Sequence, residues 1–277
     1  MPRKLAVVSV YVVALLVAGV VANVSLGGAT APAASSSPTE TVSPPITSAP
    51  ITSAPTAPAP SASPAATATP VSQSPAAYCT VADQLTPFRA YGDYARTYLD
   101  WTYALPAQYA PPDLTPAPTA GFSDARNEYV RKILVPDLTA LRADASAAGL
   151  HLTIVSAYRS YAVQDATFAY WVRVGGYDQA LLTSARAGHS EHQLGTAIDF
   201  SAAGEAPPWQ FTDWGTTPTG RWLADNAWRY GFVLSYPAGK TSVTCYAYEP
   251  WHYRWIGRDA AAKLRQSGLT LREYLAG

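Results

Sequence analysis

Residues 32–77 are almost wholly Pro, Ser, Thr and Ala, with Glu40 as their one charge. A short repeat runs through them, Ile46-Thr47-Ser48-Ala49-Pro50 followed by Ile51-Thr52-Ser53-Ala54-Pro55. A stretch so poor in large apolar side chains cannot offset the entropy of ordering its backbone, so it reads as a disordered or polyproline-like linker. Extended at about 3.1 Å per residue, about 45 residues reach on the order of 100 Å. A packed core must therefore come from residues 78–277, a length sufficient for one sizeable core.

Ahead of the linker, Arg3 and Lys4 precede an uncharged and largely apolar run over residues 5–26. A basic start followed by an apolar stretch is the pattern of an export signal. The run is also close to the roughly 20 residues that span a bilayer. Ala29-Thr30-Ala31 and Ala31-Pro32-Ala33 place small residues where a signal peptidase reads them. Residues 1–31 are accordingly read as a signal peptide or an N-terminal membrane anchor. Either way the expected location is extracytoplasmic, in the cell envelope, secreted or anchored to the cytoplasmic membrane. The formal net charge is zero, which gives no reason to expect nucleic acid as a partner. No protein partner is implied. Cys79 and Cys245 are the only cysteines. An oxidising compartment favours their pairing, which would tie the start of the domain to the segment around Glu249.

Within the foldable part, Ser123 and Asp124 are placed to cap a helix over residues 123–147, kinked or split at Pro136 and stopped by Gly149. Residues 151–155 read as a β-branched strand that delivers Tyr158 and Arg159 at its end. Ser160 caps a helix over residues 162–174, and a shorter one covers 178–186. Residues 196–200 alternate, with Ile198 and Phe200 toward the core and Asp199 on the opposite face. A helix through Trp222 and Trp228 ends at Gly231. Residues 232–234 and 252–255 read as strands, and helices over 259–266 and 270–275 close the chain. Interleaved short strands and helices without βαβ spacing indicate an α+β fold, a small antiparallel sheet flanked by helices.

The chain has four histidines, and two of them lie beside carboxylates. One segment is Ser190-Glu191-His192-Gln193-Leu194-Gly195-Thr196-Ala197-Ile198-Asp199; the other is Glu249-Pro250-Trp251-His252. Gly195 and the β-like run after it argue against a helix that would put His192 and Asp199 on one face. A turn at Gly195 would instead bring the His192 ring back over Asp199. Pro250 likewise excludes a helix interior, so this is not the helical His-Glu-x-x-His signature. In a turn entering a strand, Glu249 and His252 can still converge. Two nitrogens and one carboxylate oxygen suit Zn2+, and three protein ligands leave a fourth position open, as in catalytic sites. Zinc lowers the pKa of its water to about 7, Glu249 is placed to take the proton, and Arg159 is the candidate for stabilising an oxyanion. Singly, each residue has a plain structural reading: His192 in a turn, Asp199 at a strand end, Arg159 in a surface ion pair. His189 reads as supporting or exposed, and Glu191 as pointing away from its neighbour His192. Their joint occurrence points to a zinc peptidase.

Ser190, His192, Gly195, Ala197 and Asp199 spell Ser-x-His-x-x-Gly-x-Ala-x-Asp, which with the later Glu249-x-x-His252 resembles the signature of D-alanyl-D-alanine metallopeptidases. His189-Ser190-Glu191-His192-Gln193 looks most like the VanY-type carboxypeptidases, and the similarity covers roughly residues 123–275. The resemblance implies a hedgehog/D-Ala-D-Ala-peptidase-like fold with zinc on His192, Asp199 and His252, Glu249 as general base and Arg159 as oxyanion stabiliser. It also implies that Gln164, Ser190 and Tyr236 contact the substrate's terminal residue and carboxylate. Leu194 and Thr196, flanking Gly195, are positions where relatives often differ. The implied reaction is removal of the terminal D-alanine from peptidoglycan stem peptides, a D,D-carboxypeptidase. Alternatives on the same scaffold are an L,D-carboxypeptidase, an endopeptidase, or a wall-binding module without turnover.

Overall fold

A computed structural model describes residues 79–277. The expectations for residues 1–31 and 32–77 lie outside the described residues. In chain order the elements are β1 (Gln84–Leu85), β2 (Tyr103–Ala104), β3 (Leu114–Pro116), β4 (Tyr129–Arg131), α1 (Val135–Ala147), β5 (Leu152–Ser156), α2 (Tyr161–Gly175) and α3 (Tyr177–Thr183). They continue as β6 (Ala197–Ala202), α4 (Pro218–Asn226), β7 (Phe232–Leu234), α5 (Thr241–Thr244), β8 (His252–Trp255), α6 (Arg258–Ser267) and α7 (Leu271–Ala276), with 3-10 turns between.

Four strands build one antiparallel sheet in the order β5-β6-β8-β7. Its β-branched and aromatic residues suit a pleated surface packed on a core. Ile154, Ile198, Phe200, Phe232, Tyr253 and Trp255 pack against Leu138, Leu141 and Ala145 of α1 and against Leu223 of α4. Phe200 meets Phe232 and Tyr253 in edge-on contacts, with ring centres 6.1 and 6.0 Å apart. Trp255 is held by its indole N–H, which donates to Asp137 at the start of α1. The alternation expected over residues 196–200 is therefore present: Ile198 and Phe200 enter this core while Asp199 leaves it.

One expectation is corrected. Residues 123–131 are not helical; β4 occupies Tyr129–Arg131, paired antiparallel with β3, and a 3-10 turn over Lys132–Leu134 leads into the α-helix at Val135. Pro136 lies in the first turn, where its missing N–H has no intrahelical acceptor to lose, so it starts the helix instead of kinking it. Other boundaries agree closely: Ser160 caps α2 by accepting from the Val163 amide, and Gly231, at φ +84°, ends the turn after α4. Cys79 and Cys245 form a disulfide with Cα atoms 5.2 Å apart. Among the described residues no helix is long and apolar enough to cross a membrane.

Candidate metal centre

Sheet register assembles the site. Asp199 on β6 has Ser156 of β5 as its partner on one side and His252 of β8 on the other. Between Ile154 and Ser156 the β5–β6 register slips by a residue. Such a bulge bends its strand and re-aims the residues beyond it. Arg159 is one of these, and its amide donates to the His192 carbonyl. His192 rides on a 3-10 turn, Glu191–Leu194, whose N-cap is Ser190. Gly195 ends that turn at φ +70°, and a Cβ there would meet Arg131 and Leu114 at 3.0 Å. This left-handed residue, crowded from outside, turns the chain straight into β6, the path anticipated from Gly195.

His192, Asp199 and His252 are all buried, and one ligand atom from each lies within 4.8 Å of the others. His192 Nε2 is 3.2 Å from Asp199 Oδ2, and His252 Nδ1 is 3.0 Å from Asp199 Oδ1. Ligands bound tetrahedrally at 2.0–2.1 Å from zinc sit about 3.3 Å apart, close to the two Asp199–histidine distances, and the whole set lies within 4.8 Å. Each ring is fixed by its other nitrogen. His192 Nδ1 lies 2.6 Å from the Ala157 carbonyl, and the Ala157 amide donates to the Glu128 carboxylate at 2.7 Å. His252 Nε2 lies 3.0 Å from Glu191 Oε2. Outer partners of this kind select the tautomer of metal-binding histidines.

Charge obeys the same geometry. Burial, with Arg159 nearby, pulls the His192 pKa down to about 4, and the Ala157 carbonyl beside Nδ1 leaves Nε2 as the nitrogen turned toward Asp199. Burial also opposes a charge on His252, but hydrogen bonds to Asp199 and Glu191 outweigh it and push its pKa up to about 10. Burial would raise Asp199, yet the two histidines hold it well below the ordinary carboxylate range. The donor set fits a divalent cation: two imidazole nitrogens and one anionic oxygen.

Glu249 Oε2 stands 3.8 Å from His252 Nδ1. Its amide donates to the Tyr236 carbonyl, and its own carbonyl accepts from His252, closing the turn through Pro250. Burial pushes its pKa up to about 7, although His252 pulls the other way. A carboxyl poised near neutrality is suited to taking and returning a proton. Arg159 Nη1 lies 3.7 Å from Asp199 Oδ2, and its Nε donates to Gln164 Oε1 at 2.8 Å. Gln164, fully buried, is itself anchored to the Ala185 carbonyl at 2.6 Å. Tyr236 lies against the His252 ring at 4.8 Å and against Tyr246 at 4.9 Å. Ser190 accepts from the His192 amide, serving as the cap of the turn. His192, Asp199, His252, Glu249, Arg159 and Tyr236 therefore converge on one end of the sheet, with Gln164 behind Arg159 and Ser190 in the turn that carries His192.

Two residues were not anticipated there. Glu191 does point away from the open side of His192, as expected, but it ends behind His252. Arg254, fully buried, donates to it at 2.8 Å. The signal lay in β8, where Arg254 is two residues beyond His252 and so on the same strand face. A buried cation there requires a carboxylate. His189 is buried, between the Asp100 carbonyl and Asp83.

Residues 127–258 match the family model described as VanY: D-alanyl-D-alanine carboxypeptidase. The chain is 39% identical over 176 residues to YodJ of Bacillus subtilis (strain 168), covering 62% of this chain and 63% of that relative, so it spans less than two thirds of YodJ. The solved LdcB LD-carboxypeptidase is 37% identical, with 64% of this chain and 84% of that one covered and a TM-score of 0.56. A variant of the vancomycin-resistance D,D-pentapeptidase VanY, solved in complex with Zn(II), is 32% identical, with 66% and 99% covered and a TM-score of 0.54.

Proposed function

The chain belongs to the VanY family of D-alanyl-D-alanine carboxypeptidases, and we propose that it is a zinc-dependent D,D-carboxypeptidase that releases the terminal D-alanine of peptidoglycan stem peptides. The observation carrying this reading is the convergence of His192 Nε2, the Asp199 carboxylate and His252 Nδ1, with Glu249 and Arg159 each within 4 Å of that set. His192, Asp199 and His252 would hold the zinc. When bound, zinc acts as a Lewis acid that lowers the pKa of water at its open position and polarises a carbonyl oxygen.

The protein's own groups supply the rest. Glu249 takes the proton of the attacking water and passes it to the departing amine; its poise near neutrality suits both transfers. Arg159, held by Gln164 and Ser156, presents a fixed guanidinium to the oxygen on which negative charge develops. Tyr236 is buried and packs at a tilt against the His252 ring, restricting its movement. Gln164, Ser190 and Tyr236 are proposed to hold the substrate's terminal residue and carboxylate. Stem peptides lie outside the cytoplasmic membrane, so the same reading puts the enzyme in the cell envelope, reached through the apolar leader and spaced by the linker.

A second reading, L,D-cleavage of a tetrapeptide, is favoured by the higher identity to the LdcB LD-carboxypeptidase, 37% against 32% for the D,D-pentapeptidase. Mass-spectrometric product analysis with defined pentapeptide, tetrapeptide and cross-linked substrates, with and without a chelator, separates the two. Alanine release from the pentapeptide that the chelator stops is the expected result. Cleavage of the tetrapeptide alone would replace D,D with L,D, and no cleavage of any substrate would overturn the enzymatic reading.

A further inference from the structure

We propose that Glu191 is a positioning residue that decides which nitrogen His252 turns toward the metal; this rests on His192, Asp199 and His252 being the ligand set. Along the turn that starts at Glu191, the two acidic and basic neighbours diverge. His192 reaches Asp199, while the Glu191 carboxylate goes behind the His252 ring. There Oε2 lies 3.0 Å from His252 Nε2 and accepts the Ser235 hydroxyl at 2.6 Å. Oε1 accepts Arg254 Nη1 at 2.8 Å. Arg254 is locked in turn, with Nη2 donating to the Tyr94 carbonyl at 2.6 Å and to the Thr97 carbonyl. Glu191, Ser235, His252 and Arg254 are all buried.

Fixed on three sides, the carboxylate can do one thing for His252: accept from Nε2–H. That assignment leaves the lone pair on Nδ1, the nitrogen 3.0 Å from Asp199 and 3.8 Å from Glu249. His192 uses the opposite nitrogen, because the Ala157 carbonyl occupies its Nδ1 side. The asymmetry of the pair thus comes from what lies behind each ring. A buried ion pair contributes little net stability by itself. Its effect here is to offer a fixed anionic acceptor, which orients the ring and makes Nδ1 a better donor to a metal.

The test compares full-length wild type and Glu191→Gln. An amide that accepts from His252 must turn its NH2 toward Arg254, and one that accepts from Arg254 must release His252. Zinc affinity, measured by competition with a chromophoric chelator, is expected to fall about 10- to 100-fold. The visible absorption of the Co(II)-loaded protein should change as well, which a purely structural loss would not cause. A folded variant with wild-type zinc affinity and an unchanged Co(II) spectrum overturns the proposal. Should the variant not fold, nitrogen-detected NMR of the zinc-loaded wild type decides: Nε2 of His252 must carry a hydrogen-bonded proton, and a bare Nε2 refutes the assignment. Wild type that binds no zinc would instead sink the ligand set itself.

Discussion

Asp199 and His252 face each other across adjacent antiparallel strands, with Oδ1 of one 3.0 Å from Nδ1 of the other. The pairing is set by backbone register, so the sheet itself brings together these two candidate ligand atoms. Such preorganisation means that the metal need not order a loop, and that losing one ligand leaves the strands in place.

His252→Ala puts that preorganisation to use. The strand should form, since the core is packed by its neighbours Tyr253 and Trp255, but two ligands remain where three are needed. Metal analysis of the purified variant is expected to show no retained zinc, and alanine release to be undetectable. Stoichiometric zinc in the variant would remove His252 from the ligand set.

Glu249→Ala separates chemistry from binding. The side chain stands beyond hydrogen-bond distance from His252 Nδ1, at 3.8 Å, and is not one of the three converging ligands. Zinc content should match wild type, while turnover falls about 100- to 10,000-fold, the scale of a lost general base. Unchanged turnover in a zinc-replete variant would assign the proton transfer to another group.

That His192, Asp199 and His252 lie together could be read from the sequence because local chemistry constrains their approach. Gly195 with the β-like run after it disfavours a helix, and Pro250 excludes a helix interior, where a histidine and a carboxylate need to meet, which leaves a turn into a strand. The strands over residues 232–234 and 252–255 agree with β7 and β8 residue for residue. What escaped depends on partners distant in sequence. Ser123 and Asp124 resemble a helix cap, but the residues after them lie opposite Leu114 to Pro116, and that pairing overrides local preference. The place of Glu191 depends on Ser235 and Arg254, and through Arg254 on the carbonyls of Tyr94 and Thr97. No spacing rule links those four stretches.

Arg159→Lys tests whether a cation at this place suffices. The guanidinium reaches Gln164 through Nε and Ser156 and Asp199 through Nη1. A lysine has a single mobile ammonium and no fork to satisfy these partners together. Turnover is expected to drop about 100-fold with zinc content intact, the cost of one misplaced oxyanion donor. Equal turnover in the lysine variant would show that charge, without the fixed plane, is enough.

The disulfide closes a loop spanning 166 positions and places Cys245 four residues before Glu249. Constraint of so long a loop in the unfolded chain is worth about 5 kcal/mol in the chain-entropy picture. For a domain near 200 residues that corresponds to a shift in Tm on the order of 10 °C. The double variant Cys79→Ser/Cys245→Ser, which avoids an unpaired thiol, should unfold at a correspondingly lower temperature in a thermal scan. It should bind zinc as the wild type does at 25 °C, because the three ligands are set by β6, β8 and the turn ended by Gly195, none of which contains either cysteine. Loss of zinc at temperatures where the variant is folded would mean that the bridge also holds the segment leading to Glu249 and His252 in register.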